Sequence, residues 1–159
     1  LAATMTQSES LIYSFGTRYA DFTDGNRYQA FYGNMYRRLL TRPRSLTHLT
    51  AELFTGSNSR QDVNYYAPER DLSAMVGVEH RLRIRRRYDR SIAQRTSFQA
   101  GRYNQDGFGS GTVWRARYGI EMSLSEAVNV EFAVQRSSNL YDGVREQMTF
   151  FMASVSARL

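Results

Sequence analysis

Leu72-Ser73-Ala74-Met75-Val76-Gly77-Val78-Glu79-His80-Arg81-Leu82-Arg83-Ile84 is the stretch that decides the fold. Taken at every second position, one set reads Leu72, Ala74, Val76, Val78, His80, Leu82, Ile84 and the other Ser73, Met75, Gly77, Glu79, Arg81, Arg83, continuing to Arg85. One side is apolar and the other is charged. A period of two is that of an extended strand, because successive side chains leave opposite sides of the pleat. At roughly 3.3 Å per residue the stretch reaches about 40 Å, whereas strands of soluble proteins have a mode of about 5–6 residues. A tilted strand crossing a bilayer needs a comparable reach.

The same two-sided pattern recurs on both flanks. Between Ser8 and Phe22, Leu11, Tyr13, Phe15, Thr17 and Tyr19 alternate with Ile12, Ser14, Gly16, Arg18 and Ala20. Thr23-Asp24-Gly25-Asn26 follows, a tight hairpin signal because Asp-Gly tolerates positive φ. Arg27 to Leu40 is aromatic and β-prone, but Tyr28, Tyr32 and Tyr36 oppose Phe31, Met35 and Leu39, which leaves its orientation open. Pro43 ends that run, since a sheet interior cannot use a residue without an amide hydrogen.

Leu46 to Gly56 sets Leu49, Ala51 and Leu53 outward and His48, Thr50 and Glu52 inward, and Ser57 to Asp71 reads as a polar loop. Beyond the deciding stretch, Arg85 to Arg90 is a short basic turn, and Ile92, Thr96, Phe98 and Ala100 then oppose Arg95, Ser97, Gln99 and Gly101. Gln105 to Gly111 reads as a glycine-rich loop. In Thr112 to Leu124, Trp114, Ala116, Tyr118, Ile120 and Met122 oppose Val113, Arg115, Arg117, Gly119 and Glu121. After the short turn Ser123 to Ala127, Val128, Val130, Phe132 and Val134 oppose Asn129, Glu131, Ala133 and Gln135. A loop from Ser138 to Glu146 leads to a last strand with Phe151, Ala153, Val155 and Leu159 outward.

These readings add up to an all-β antiparallel transmembrane barrel with about eight strands over residues 1–159, as a whole barrel or a segment of one. Longer polar loops alternate with short turns from the third strand onward, the asymmetry of extracellular loops and periplasmic turns. An even count predicts both ends of the sheet on the periplasmic side. The soluble alternative, an antiparallel barrel or sandwich with its charged face in water, accounts less well for strand length and for aromatics near strand ends.

Composition agrees. Tyr (11) and Phe (9) are abundant, Pro (2) is scarce, and cysteine is absent, which removes disulfides and thiolate metal sites. No run approaches the roughly 18 apolar residues of a membrane helix. All 21 basic residues are Arg, against 15 acidic ones, for a net charge of +6. They are spread at alternate positions among Glu rather than gathered on one face, which argues against a nucleic-acid partner. Leu1 to Ser8 lacks the basic start and apolar core of a signal peptide, as expected of a mature or excised segment. No motif has metal-ligand spacing or a phosphate-cradling glycine loop, so neither metal nor cofactor is expected.

From Asn64 onward the chain resembles the C-terminal barrel of the poly-β-1,6-N-acetyl-D-glucosamine export porin family (PgaA/HmsH). The pieces are Asn64-Tyr65-Tyr66-Ala67-Pro68-Glu69-Arg70-Asp71, Arg87-Tyr88-Asp89-Arg90-Ser91, Gly101-Arg102-Tyr103 with Gly107 to Gly111, and Tyr141-Asp142-Gly143-Val144-Arg145-Glu146, in that order. The resemblance implies the outer membrane of a bacterium, outer-membrane lipid around the barrel, and export of that biofilm polysaccharide. It also implies a barrel of about sixteen strands preceded by a periplasmic repeat region. Two departures stand out: this chain shows about half the strands and no repeat helices, and it ends on Leu159 rather than an aromatic. Eight strands alone close around their own side chains and leave no path for a polymer.

The inward-facing candidates for a lumen wall are Arg18, Glu52, Glu79, Arg81, Arg83, Arg95, Arg115, Arg117, Glu121 and Glu131. In a narrow barrel they pair with one another, because buried charges without partners are costly. In a wide one they are wet and meet passing hydroxyls, acetamides and ammonium groups. Tyr65, Tyr66, Tyr103 and Tyr141 lie in or beside the long loops, as sugar-stacking surfaces or interface anchors. Alternation turns His48 inward and His80 outward, so an enzyme reading finds no converging acid and base. Three functional classes follow: an export-porin segment, a small closed barrel with a structural role, and an outer-membrane enzyme.

Overall fold

Alternating apolar and polar positions, β-branched and aromatic content, and turn residues at the boundaries drive almost the whole chain into strands. The structure, a computed structural model, describes residues 1–157. Leu159, expected on the outer face of the last strand, lies outside the described residues.

Nine strands follow one another: β1 (Ala2–Ser8), β2 (Leu11–Asp21), β3 (Arg27–Arg42), β4 (Ser45–Asn58), β5 (Arg70–Arg87), β6 (Arg90–Gln105), β7 (Gly109–Ser123), β8 (Val128–Tyr141) and β9 (Val144–Ala157). They form one antiparallel sheet in chain order, so every connection joins spatial neighbours. Among the described residues the sheet does not close: β1 and β9 are its two edges. Of the two forms expected, a whole barrel or a segment of one, the open, curved wall agrees with the segment, and it has nine strands where about eight were expected.

The added strand is β1. Ala2–Ser8 has neither an apolar nor a charged face, and Glu9-Ser10 carries no glycine or proline, so nothing in the pattern separates it from β2. An odd count also sends β1 and β9 out at opposite ends of the sheet, where an even count has both ends on one side.

Register settles the strand that the pattern leaves open. Asn34 pairs with Glu52 and Tyr36 with Thr50, which puts Tyr28, Tyr32 and Tyr36 on the face of the charged residues and Phe31 and Met35 on the other. The loops shrink as well. Gln105 to Gly111 is mostly strand around a turn at residues 106–108, with Gly107 and Gly109 at φ of 83° and 80°. Ser138 to Glu146 is strand except for the turn Asp142-Gly143, whose φ angles of 47° and 76° make the left-handed pair that two-residue hairpins favour. Residues 59–69 remain the one long connection, at the same end as these tight turns.

The two faces differ in shape as well as chemistry. Arg115 Nη1 on β7 lies 3.3 Å from Glu52 Oε2 on β4. Those strands are three steps apart, about 14 Å in a flat sheet at roughly 4.8 Å per step, so the charged face is concave. The convex face is apolar and open: Val76 is 57% exposed, Phe98 54%, Phe132 52% and Val155 72%. In water such a continuous surface is a liability, whereas against acyl chains it is the required one.

Glycine permits the curvature at two inward positions on β5 and β6. A Cβ at Gly101 would overlap the Ala74 carbonyl oxygen and stand 2.6 Å from Met75 Cα. At Gly77 it would strike the Phe98 carbonyl oxygen and stand 2.7 Å from Gln99 Cα. Glycine to alanine in a strand interior ordinarily gains about 0.5–1 kcal/mol from lost chain entropy. Here the sign reverses: Gly101→Ala is expected to destabilise by about 1–3 kcal/mol, read as a lower midpoint for loss of the folded, faster-migrating species in a heat-modifiability series.

Candidate functional site

The concave face carries all ten charged candidates. Cross-strand register puts Arg18 (β2), Glu52 (β4), Glu79, Arg81 and Arg83 (β5), Arg95 (β6), Arg115, Arg117 and Glu121 (β7) and Glu131 (β8) on one side of the sheet. Eight of them meet in ion pairs. Glu121 takes Arg81 at 2.7 Å and Arg95 at 2.9 Å, the latter a close charge contact without hydrogen-bond alignment. Arg95 also stands 3.8 Å from Glu79, and Arg117 pairs with Glu131. Arg115 reaches Glu52 while Gln99 Nε2 donates to Glu52 at 2.7 Å and to Thr50 at 3.3 Å. Arg18 and Arg83 make no ion pair among the described residues.

Each charged side chain in these pairs keeps between 22% and 38% of its surface. Half-wet pairs of this kind contribute about 1 kcal/mol or less each. They neutralise the wall more than they hold it together.

At the loop end the surface changes character. Two cavities of about 420 and 540 Å³ flank Tyr66 and Asp71. Tyr32, Phe54, Tyr103 and Tyr141 line the first; Arg18, Tyr28, Tyr65 and Pro68 line the second. A hydrogen-bond chain ties them. Tyr103 donates to Asp71 Oδ2 at 3.2 Å, and the Tyr66 hydroxyl, 2.7 Å from that of Tyr103, also reaches Gln105 Oε1 at 3.1 Å. Gln105 Nε2 donates to Asp142 Oδ1 at 2.6 Å, and Tyr66 meets Tyr141 edge-on with ring centroids 5.4 Å apart. Burial raises the Tyr66 hydroxyl above its ordinary pKa, so it stays a neutral donor.

The four tyrosines singled out from sequence divide here. Tyr66, Tyr103 and Tyr141 gather around the first cavity, with Tyr103 and Tyr141 on strands rather than in loops. Tyr65 turns away and serves the loop. Its hydroxyl donates to Asp24 Oδ2 at 2.9 Å and accepts from Asn26 Nδ2 at 3.1 Å, while its ring packs on Phe22 at 5.6 Å.

Asn26 is the fastening point of residues 59–69. It is fully buried, and its amide nitrogen donates to Asn58 Oδ1 and Tyr65 while its oxygen accepts from the Arg60 backbone and Ser59 Oγ. Asn26, Asp71, Gln105 and Asp142 escaped sequence reasoning. Asp71 had a signal, since it shares the parity of Ser73 and Met75 on the inward face. The two histidines do not converge: His48 pairs with Glu79 on the concave face, and His80 lies 2.9 Å from Thr47 Oγ1 on the convex one.

Strands of 14–18 residues in β3 to β9, an apolar convex face and a charged concave one define the wall of a transmembrane β-barrel. The chain belongs to the family of the PgaA membrane β-barrel domain, whose model matches residues 1–158, and its place is the bacterial outer membrane. The fold is similar to a solved structure described as a bacterial polysaccharide outer membrane secretin, with a TM-score of 0.96 and 22% identity over 99% of this chain and 55% of that one. This chain thus spans about half the length of that structure. No curated protein matches it.

Asn26→Ala is expected to free residues 59–69, because four partners of one buried side chain lose their bonds at once. An unmade hydrogen bond of this kind costs about 1–3 kcal/mol, so amide exchange at Ser59 and Arg60 should rise at least roughly fivefold while the strand core is unchanged. Acid should do the same. The Asn26 backbone bond lowers the Asp24 carboxyl below its ordinary 3.8, helped by Tyr65 and Arg60. The fastening is therefore complete above pH 3.8 and lost as pH falls through the lower folded value. Exchange at the same amides across an acid series checks this.

Proposed function

We propose that this sheet is part of the wall of a wider outer-membrane barrel through which an exopolysaccharide leaves the cell, the polymer being poly-β-1,6-N-acetyl-D-glucosamine. The open nine-stranded wall carries this reading. In lipid every backbone polar group needs a partner inside the protein, so the edges at β1 and β9 require further strands before the sheet is viable. A barrel of about sixteen strands no longer fills its interior with side chains and leaves an aqueous path.

The concave face suits a neutral, hydroxyl-rich polymer. Four of its Arg and all four of its Glu candidates are engaged with one another yet remain wet, so they offer hydrogen bonds, and Arg18 and Arg83 leave only a small positive excess. Arg18, Glu52, Glu79, Arg81, Arg83, Arg95, Arg115, Arg117, Glu121 and Glu131 would line the passage. Tyr66, Tyr103 and Tyr141 offer ring faces and hydroxyls to sugar rings at its loop end, and Asp71 and Asp142 offer carboxylates to ammonium groups of deacetylated residues. A periplasmic repeat region of the parent protein would deliver the polymer from the turn end.

Single-channel recording of the barrel that contains this sheet, in a planar bilayer with and without glucosamine oligomers, tests the proposal. Steady conductance steps that oligomers block are expected. Tyr66→Ala with Tyr103→Ala should weaken the block by about 2- to 10-fold, the range of one aromatic contact. Steps indifferent to oligomers would sink the sugar reading, and a folded but silent protein would sink the wide channel.

A further inference from the structure

Of the four sequence stretches that carry the family resemblance, three converge on the loop end of the sheet. The fourth, Arg87-Tyr88-Asp89-Arg90-Ser91, lies at the opposite end, in the turn between β5 and β6. Its surroundings are unusual because the alternation of β5 breaks just before it. Arg83 pairs with Ala93 but Arg85 pairs with Ile92, leaving Ile84 as an extra residue. Plain alternation turns Arg85 inward. The bulge instead inverts the parity, and Arg85 and Arg87 emerge on the convex, lipid-facing side.

There they meet Arg90, which stands directly opposite Arg87 across the hairpin. Like charges in that position repel. Among the described residues none of the three arginines has a carboxylate within 4 Å, and Asp89 and Glu126 in the adjacent turns are not paired with them. Together with Ile92, Met122 and Leu124 they line a groove of about 270 Å³ with an apolar floor and a cationic rim.

Depth identifies what fills it. The outward apolar run of β5 from Leu72 to Leu82 rises about 25 Å at a tilt of roughly 40°, the height of the apolar band of a membrane barrel. Arg85, Arg87 and Arg90 lie just beyond that band, at the level of head groups. Long loops face outward and short turns face the periplasm in such barrels, so this is the inner, phospholipid leaflet.

We infer that the groove of Arg85, Arg87, Arg90, Ile92, Met122 and Leu124 binds an anionic glycerophospholipid, its phosphate between the opposed arginines and its acyl chain along the apolar floor. The phosphate relieves the Arg87–Arg90 repulsion, and the chain covers side chains that water would otherwise meet. The inference is independent of what passes through the barrel.

The test is native mass spectrometry of the full parent barrel reconstituted in phosphatidylcholine vesicles containing a minority of phosphatidylglycerol. Retention of phosphatidylglycerol over phosphatidylcholine is expected. Each arginine near a membrane surface contributes roughly fivefold in affinity, so the triple variant Arg85→Gln, Arg87→Gln, Arg90→Gln should lose about a hundredfold. Arg102→Gln, an outward arginine at the other end of β6, should lose nothing. Should the triple variant fail to fold, Arg87→Gln alone carries the test with about a fivefold loss. Undiminished retention by a folded variant overturns the inference. So does displacement by inorganic phosphate at equal concentration, which would make the groove a plain anion site.

Discussion

Backbone hydrogen bonding in a medium without water is the constraint from which the rest of this structure follows. An amide or carbonyl facing lipid has no partner but another strand, so the chain runs up and down with each strand bonded to the next. Once that ladder is set, side chains have only two directions to go. One becomes the lipid surface and the other the interior wall, and every residue's environment is decided by its parity.

The interior wall is held concave by glycine where neighbouring backbone presses closest, at Gly77 and Gly101, and the curvature brings charges from distant strands into reach. Glu52 and Arg115, and Arg81 and Glu121, are partners because the sheet bends. In a flat sheet each would face its immediate neighbour, and Arg81 would sit beside Arg95 with no carboxylate between them. The loop end obeys a different rule: the buried Asn26 side chain bonds donors and acceptors from residues 58–65, and this fixes Tyr66 over the strand residues Asp71 and Tyr103.

Bulges are where parity is renegotiated. Register shifts occur near Leu39 in β3 and Ile84 in β5, both close to the short-turn end. The one at Ile84 transfers Arg85 and Arg87 from the interior to the lipid side without altering the rest of the strand. A single inserted residue thus separates an arginine row on the concave face from one on the convex face, and it does so at the depth where a charged side chain costs least.

The sequence by itself determined the two faces, because alternation is a local property: the lipid-facing set from Leu72 to Leu82 and the ten charged candidates on the concave face could be read from spacing alone. It also determined the hairpin at Asp24-Gly25, whose backbone preference is intrinsic to the dipeptide. Only the tertiary structure decided the orientation of β3, the existence of β1 and the inversion after Ile84, since these depend on which residue of the next strand each one opposes. The aromatic and acidic cluster was decided the same way. Asp71, Tyr66, Tyr103 and Tyr141 are brought together by register and by a loop fastened to a different hairpin, and long-range pairings of that kind leave no periodicity for a sequence to display.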